Sequence, residues 1–458
     1  MLFNSYEFMF LFLPLTFAVF FYLGHKGKKE LATLWLVLAS FFFYGYWDVR
    51  YVPLLFGSIC FNYLVGRQLE QCNGHKVWLT FGIVINVLLL GYFKYTDFFL
   101  GTVNNVAGTD IFDLPHIVLP LGISFFTFTQ TAYLVDAYRG DAKNQSFLTY
   151  CEFVTIFPHL IAGPIINHKD MIPQFVADKT FRINYENIAL GLTIFTFGLF
   201  KKVVIADKLA IYANEAFSHT DTLNCVEAWV GALSYTLQLY FDFSGYSEMA
   251  IGLALLFNLK MPVNFNSPYQ ARSIIDFWRR WHMTLGLWVK NYLYIPMGGN
   301  RHGEWKKMRN LFVSMLIIGL WHGAGWTFII WGGLHGVLLM INHAWRKTGI
   351  ILPKIINWGM TFFGVVICWV FFRAGSASEA MSVLEAMVDV QSIDIYESKR
   401  LVILGIAVAF LTIASNPLVI VKKFTADNKW LLLVCLLFLI SLYHIGIKGT
   451  GEFLYFQF

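Results

Sequence analysis

One histidine lies inside an apolar stretch that is long enough to enter a membrane. His322 follows Gly319-Leu320-Trp321 within residues 311–341. A titratable side chain in hydrocarbon costs about 3 kcal/mol or more unless it faces a cavity or a partner, so its presence there indicates a functional site. Imidazole accepts a proton near neutral pH and is the most common general base in enzymes. We therefore predict that His322 is a general base; a structural histidine bonded to a neighbouring helix is the alternative.

His282 is the second candidate for a chemical role. It ends the run Trp278-Arg279-Arg280-Trp281-His282 and can reach the interior if this segment dips into the membrane. A second polar group beside His322 could orient a reactant or bind an acyl oxygen. The alternative is an interfacial histidine that faces lipid headgroups. For two further histidines, His335 and His159, structural roles are favoured.

Several kinds of chemistry are not indicated by the sequence. It has no HExxH pair and no close cluster of histidine and cysteine, so we expect no metal site. It also lacks a GxSxG elbow and a Walker lysine. The six cysteines are scattered and are expected to be small core residues. A proton-coupled transporter is the alternative function, because intramembrane histidines also serve in proton relays.

The composition is that of a membrane protein. Of the 458 residues, 57% are apolar and only 14% are charged, whereas soluble domains carry about 25% charged residues. The net charge of +6 fits an excess of lysine and arginine in cytoplasmic loops. The sequence has no basic run interleaved with aromatic residues, so it does not indicate a nucleic-acid partner. The expected partner is the lipid bilayer.

Repeated apolar runs predict the membrane spans that must position the two histidines. They lie at residues 8–23, 31–47, 52–66, 77–93, 117–135, 187–212, 226–257, 311–321, 326–343, 355–373, 401–421 and 430–447. Several are shorter than the roughly 20 residues of a straight span, which predicts half-helices or re-entrant segments. Residues 150–166, interrupted by Pro158 and Pro164, are another such segment. The runs 311–321 and 326–343 should form a hairpin with His322 near its turn. We expect an all-α, polytopic integral membrane protein with a single domain over residues 1–458, whose first apolar run is a span rather than a cleaved signal.

The distribution of lysine and arginine predicts the orientation of these spans. Basic residues follow alternate spans, and residues 260–309 are the most basic stretch. By the positive-inside rule these regions face the cytoplasm, whereas residues 94–116, residues 374–400 and both termini face outside. Lys201 and Lys202 do not fit this pattern of basic loops, since they lie within a long apolar run and must snorkel or pair.

Beyond these physical patterns, the chain resembles the bacterial membrane-bound O-acyltransferases of the alginate O-acetyltransferase type. The resemblance covers nearly the whole chain and rests on the opening Met1-Leu2-Phe3-Asn4-Ser5-Tyr6, on Phe157-Pro158-His159-Leu160-Ile161-Ala162-Gly163-Pro164, on Gln238-Leu239-Tyr240-Phe241-Asp242-Phe243-Ser244-Gly245-Tyr246, on Asp276-Phe277-Trp278-Arg279-Arg280-Trp281-His282, on Tyr294-Ile295-Pro296-Met297-Gly298-Gly299-Asn300-Arg301 and on Gly319-Leu320-Trp321-His322-Gly323. It implies a helical bundle with re-entrant helices around a transmembrane tunnel. It further implies that His322 is the essential catalytic histidine and that His282 occupies the second signature position.

The resemblance also implies an activity. We expect an acetyltransferase of the bacterial inner membrane that takes an acetyl group from cytoplasmic acetyl-CoA and delivers it for O-acetylation of an extracellular polysaccharide. An extracytoplasmic acetyltransferase is the expected protein partner. Arg279, Arg280 and Arg301 are candidate contacts for the phosphates of coenzyme A, although they also fit simple positive-inside charge. Teichoic acid D-alanyltransferases, which use a carrier-protein thioester, are related alternatives, and a non-catalytic scaffold is another.

The C-terminal segment offers one more candidate. It reads Gly451-Glu452-Phe453-Leu454-Tyr455-Phe456-Gln457-Phe458. Aromatic residues commonly anchor a chain at the membrane interface, which is one interpretation. The other is that the hydroxyl of Tyr455 relays an acyl group to an extracytoplasmic transferase.

Overall fold

The regular segments of the chain are helices. The computed structural model describes residues 1–71, 75–143, 145–389, 400–402, 404–405, 407–408, 424–449, 451 and 453–454. Within these ranges every regular element is a helix. The predicted all-α class is therefore confirmed.

The described residues up to Phe200 form nine α-helices. They are α1 (Leu13–His25), α2 (Lys29–Gly45), α3 (Val52–Gln71), α4 (Lys76–Ala107), α5 (Ile123–Tyr138), α6 (Phe147–Thr155), α7 (Phe157–Leu160), α8 (His168–Phe175) and α9 (Tyr185–Phe200). The following helices are α10 (Asp207–Ser218), α11 (Cys225–Leu256), α12 (Ile274–Trp278), α13 (Met283–Val289), α14 (Glu304–His322), α15 (Trp326–Thr348), α16 (Lys354–Arg373), α17 (Ala377–Val388) and α18 (Asn428–Lys448). A π-helical stretch, Lys201–Ala206, joins α9 to α10 without a break.

Seven helical stretches of the described residues are long and apolar enough to cross a membrane. They are Phe8–His25, Val49–Gln71, Lys76–Ala107, Tyr185–Ser218, Trp326–Thr348, Lys354–Arg373 and Asn428–Ile447. Each contains one of the predicted spans. The chain is therefore polytopic, as its composition indicated.

Other predicted spans differ from the structure. The run 117–135 becomes helical only at Ile123, because Pro120 precedes it and Gly122 adopts a left-handed conformation with φ 73°. The run 226–257 forms α11, whose residues from 234 onward are almost all buried inside the protein. The predicted span 401–421 lies largely outside the described residues.

One compact unit consists of the described residues within 1–199, 246–262 and 425–454. Aromatic side chains fill its core. The ring of Phe157 contacts those of Phe8, Phe12 and Phe43 at centroid distances of 6.0, 5.4 and 5.7 Å. Such tilted and edge-to-face contacts add to the stability that burial of the rings already provides.

The broken segment predicted at residues 150–166 belongs to this unit. Helix α6 ends at Thr155, α7 comprises four residues, and residues 161–166 are irregular and buried. The backbone N–H of Phe157 donates to Ser40 Oγ over 3.1 Å, and His159 Nε2 bonds the carbonyl oxygen of Phe153 over 3.2 Å. Buried non-helical backbone needs such partners. The break is confirmed, whereas re-entry of this segment from one side of the membrane stays a prediction.

The second compact unit consists of the described residues within 200–245 and 263–424. It contains α10, α12 to α17 and the first part of α11. The side chain of Trp229 on α11 donates to the carbonyl oxygen of Met387 on α17 over 2.9 Å. Trp358 on α16 donates to the carbonyl oxygen of Tyr269, also over 2.9 Å. Each unit combines distant parts of the chain, and a single functional domain remains a prediction.

Candidate active site

The hairpin of α14 and α15 places His322. Helix α14 ends at His322, the chain becomes extended at Gly323 and Gly325, and α15 begins at Trp326. The predicted hairpin and the position of His322 at its turn are therefore confirmed. A residue at the last position of a helix is held by that helix and can still present its side chain beyond the helix end.

Two glycines let the arms of the hairpin approach closely. A methyl group on Gly332 would collide with the carbonyl oxygen of Met315, and one on Gly319 would collide with that of Phe328. Small residues at helix crossings commonly permit this kind of backbone contact in membrane proteins. The distance between the helices, and with it the position of His322, depends on both glycines.

Aromatic rings surround the imidazole of His322. The side chain is buried, and its ring centroid lies 4.9 Å from Trp321, 5.1 Å from Trp331 and 5.3 Å from Phe372. The rings of Trp331 and Phe372 meet it edge to face, at interplanar angles of 89° and 72°. These contacts from α15 and α16 restrict the plane of the imidazole.

His282 has an unusual backbone conformation. It precedes α13 with φ 44° and ψ 54°, a left-handed conformation that is uncommon for residues other than glycine. Backbone strain of this kind often accompanies functional sites. The residue is only 1% exposed, its Nδ1 lies 3.0 Å from Asn264 Oδ1, and its ring meets Phe243 edge to face at 4.8 Å. Because it is buried, the interpretation as a lipid-facing histidine was wrong.

The indole of Trp321 connects the two histidines. Its ring centroid lies 6.3 Å from that of His282 and 4.9 Å from that of His322. The two candidates, 40 residues apart in the chain, therefore both contact Trp321 within the second compact unit. His335 also contacts Trp331, at a ring-centroid distance of 4.9 Å, and its Nδ1 accepts a hydrogen bond from Trp278 Nε1 over 3.3 Å. This environment suits the structural role expected for His335.

The three candidate arginines differ in their surroundings. Arg280 donates from Nε to Asp276 Oδ1 over 2.9 Å and from Nη1 to the carbonyl oxygen of Asn266 over 3.3 Å. Arg279 and Arg301 are exposed. The structure therefore gives Arg280 a local bonding role, and leaves Arg279 and Arg301 accessible to solvent. Tyr455 lies outside the described residues.

One ion pair joins α14 to α15 at the end of the hairpin that is remote from His322. Glu304, at the start of α14, accepts from Lys347 near the end of α15 over 2.9 Å. This hydrogen bond holds the pKa of the Glu304 carboxyl below its usual range. Both side chains are more than half exposed, so the pair contributes little to stability.

Sequence reasoning did not identify two polar features of this unit. The first is Asn264 with its partner Thr284, whose hydroxyl donates to Asn264 Oδ1 over 2.9 Å; a buried amide in an irregular segment gives no recognisable pattern. The second is a buried ion cluster in which Lys202 Nζ lies 2.7 Å from carboxylate oxygens of both Asp207 and Asp242. The prediction that Lys202 must snorkel or pair is confirmed as pairing. In the described part of the chain, no three histidine, cysteine, aspartate or glutamate side chains are arranged to hold a metal ion.

Comparison with known families assigns the chain to one of them. Residues 7–373 match the membrane-bound O-acyltransferase family. The chain belongs to this family. It is therefore an O-acyltransferase, and the transporter interpretation was wrong.

Bacterial relatives extend the assignment over the whole length. The O-acyltransferase is 44% identical to the peptidoglycan O-acetyltransferase of Helicobacter pylori, over 100% of this chain and 98% of the relative. It is 42% identical to a protein named probable alginate O-acetylase of Pseudomonas aeruginosa, over 90% of this chain and 80% of the relative. A teichoic acid D-alanyltransferase of Bacillus subtilis is 30% identical over 57% of this chain and 69% of the relative. Together with its seven apolar helices, these relatives identify the protein as a multi-pass protein of the bacterial inner membrane.

Proposed function

We propose that this O-acyltransferase transfers an acetyl group from cytoplasmic acetyl-CoA across the membrane for O-acetylation of an extracellular polysaccharide. The observation that carries the proposal is the pair of buried histidines that both contact Trp321 in a chain of this family. The names of two of its relatives, a peptidoglycan O-acetyltransferase and a probable alginate O-acetylase, support acetyl as the acyl group and a polysaccharide as the acceptor.

In the proposed reaction, His322 takes the proton of the acceptor hydroxyl. The hydroxyl oxygen then attacks the thioester carbonyl, the carbon–sulfur bond breaks, and the coenzyme A thiolate leaves and is protonated. His282 assists by positioning a reactant or by stabilising the negative oxygen of the tetrahedral intermediate. The aromatic rings around His322 support this role, because they fix the imidazole and limit access of water that would hydrolyse the thioester.

Three arginines and one tyrosine have proposed supporting roles. Arg279 and Arg301 are exposed, so they are available to bind the phosphates of coenzyme A at the cytoplasmic side. Arg280 is proposed for the same role but must also keep its bond to Asp276. Tyr455 is proposed to relay the acetyl group to an extracytoplasmic acetyltransferase, the expected partner.

The central test is His322→Ala in membranes supplied with labelled acetyl-CoA and the polysaccharide of the producing strain. We expect transfer to fall by at least about 1,000-fold, because no other group at the hairpin turn can take the hydroxyl proton. His335→Phe is the matched control. It keeps an aromatic ring at this position of α15 and removes a histidine that has no part in the proposed chemistry. Transfer by a folded His322→Ala protein at the wild-type rate would contradict the proposal and favour a non-catalytic scaffold.

The D-alanyltransferase relative makes a carrier-protein thioester the alternative acyl donor. The proposal predicts that acetyl-CoA, and not a carrier-protein thioester, supports transfer by the purified protein. Activity with a D-alanyl carrier protein alone would assign the chain to the teichoic acid branch.

A further inference from the structure

The side chain of Asn264 is the centre of a hydrogen-bond network around His282. The residue is completely buried. Its Oδ1 lies 3.0 Å from His282 Nδ1, 2.9 Å from Thr284 Oγ1 and 3.3 Å from the backbone nitrogen of Thr284. Its own carbonyl oxygen accepts from the backbone N–H of Met283 over 2.9 Å. One asparagine thus holds both the backbone and the ring of the strained residue His282.

The network determines which atom of the Asn264 amide faces His282. The backbone N–H of Thr284 can only donate a hydrogen bond, so the atom that it meets must be the amide oxygen. An amide oxygen can only accept. The contact with His282 Nδ1 is therefore a hydrogen bond only when Nδ1 carries the hydrogen.

This assignment determines the tautomer of His282. A neutral imidazole has a single N–H, so a ring protonated at Nδ1 has a lone pair at Nε2. A lone pair accepts hydrogen bonds, and it repels a negatively charged oxygen. Neutral His282 in this tautomer can therefore meet a hydroxyl, a thiol or an amide N–H, but it cannot stabilise an oxyanion.

We propose that Asn264 is a positioning residue that locks His282 with Nδ1 protonated, so that His282 Nε2 accepts a hydrogen bond from a proton-bearing group of the bound reactants. This inference deepens the proposed function and rests on it. It selects positioning over oxyanion stabilisation among the two roles open to His282. His282 gains no proton and forms no covalent bond in this role, so the proton balance at His322 is unchanged.

The first experiment reads the tautomer without any need for catalysis. The protein is labelled with ¹⁵N-histidine, and its NMR spectrum in lipid bilayers at neutral pH is compared with that of His282→Gln, so that the difference contains the signals of His282. We expect a neutral ring protonated at Nδ1 in the wild type, and loss of that single form in Asn264→Leu. A ring protonated at Nε2 in the wild type would overturn the inference, even if acetyl transfer itself is confirmed.

The second experiment uses Asn264→Asp and the pH dependence of acetyl transfer. A carboxylate accepts from the same three donors, so the network is kept, but its charge favours the imidazolium form of His282. We expect protonation of Nε2 to abolish the accepting role at higher pH than in the wild type, which moves the acidic limb of kcat/KM upward by about one pH unit or more. The groups that contact His282 include Phe243, Asn264 and Trp321, and Trp321 also contacts the titratable His322.

Thr284→Val is the matched control for the network. It removes one donor to Asn264 but keeps the backbone N–H that orients the amide, so we expect the acidic limb to stay in place and kcat/KM to fall by no more than a few-fold. An unshifted acidic limb in a folded and active Asn264→Asp protein would show that Asn264 is only structural. Absence of transfer in the wild type with acetyl-CoA would instead contradict the proposed function and leave the NMR result intact.

Discussion

Lys202 shows how one residue can violate the apolar pattern of a span and still be accommodated. Its side chain is 2% exposed and pairs with Asp207 on α10 and Asp242 on α11. A buried ion pair adds little net stability compared with apolar residues, but removing one partner leaves a charge without compensation. The cluster therefore constrains the packing of α11 against the π-helical stretch that contains Lys202.

Replacement of the lysine should be costly. We expect Lys202→Met to lower the free energy of unfolding by about 3–5 kcal/mol, because two carboxylates lose their counter-charge in the interior. Thermal unfolding in detergent, followed by tryptophan fluorescence, would measure the effect. Lys208→Met, on the exposed side of α10, is the control and should change the free energy by less than about 0.5 kcal/mol. Equal melting temperatures for the two variants would contradict the importance of the cluster.

The role of Tyr455 as an acyl relay is predicted from the sequence alone. Tyr455→Phe keeps the ring and any interfacial anchoring but removes the hydroxyl. If this hydroxyl relays the acetyl group, the variant should lose transfer to the extracellular acceptor with little change in stability. Intact mass spectrometry after incubation with acetyl-CoA should detect an acetyl adduct in the wild type and none in the variant. Full polysaccharide acetylation by Tyr455→Phe would assign the tail an anchoring role only.

The candidate catalytic residues could be predicted from the sequence, but the residues that hold them in place could not. A histidine in an apolar, glycine-rich run is visible in the sequence, and so is a lysine that needs a partner. Asn264 lies 18 residues before His282 in a segment without periodicity, so no local pattern links the two. Their contact depends on the irregular path of the chain between α11 and α13.

At the scale of elements, the hairpin of α14 and α15 sets the geometry of the site. Gly332 faces the backbone of α14, whereas a methyl group on the adjacent Gly333 would meet only Leu316 Cδ2, at an ordinary contact distance of 3.6 Å. The two neighbouring glycines therefore differ in what they permit. Only the first is required for close approach of the helices.

This difference gives a matched pair of variants. We expect Gly332→Ala to push the arms apart, displace His322 and lower acetyl transfer by about 10- to 100-fold, because a shift of about 1 Å at reacting groups can have an effect of that size. Gly333→Ala should stay within about threefold of the wild type. Transfer rates and melting temperatures of both purified variants would be compared. Equal rates would mean that the glycine contact does not position the catalytic residue.

The helices that could span a membrane were predictable from hydropathy, because each of the seven contains a predicted apolar run. Prediction was weaker where burial comes from protein rather than lipid. Helix α11 contains a predicted span but lies among protein side chains, and α5 begins late because Gly122 and Pro120 interrupt the start of its run. Hydropathy records that a residue avoids water and does not distinguish the two apolar surroundings.

For the whole molecule, the orientation in the membrane is the main prediction. We expect Lys28→Cys to react with a thiol reagent only from the cytoplasm, and Asp110→Cys and Ser378→Cys only from outside. All three positions are exposed, and each would be introduced singly into a cysteine-free protein. Labelling of Ser378→Cys from the cytoplasm would reverse the assignment of residues 374–400.

The division into two compact units could not be predicted from the sequence. Each unit is assembled from separate segments, and α11 contributes to both. Two of the crossings, at residues 199–200 and 245–246, lie inside continuous helical stretches, so no linker marks them. Long-range packing, rather than local pattern, decides which segments join.

The ion cluster of Lys202 also has a consequence for biogenesis. A lysine near the centre of a helix opposes entry from the translocon into lipid by about 2.5–3.5 kcal/mol. Asp207 is on the same helical stretch and is available at once, but Asp242 is synthesised 40 residues later, on α11. The stretch Tyr185–Ser218 should therefore reach its final depth only after α11 has arrived, so that folding of this region is coupled to the order of synthesis.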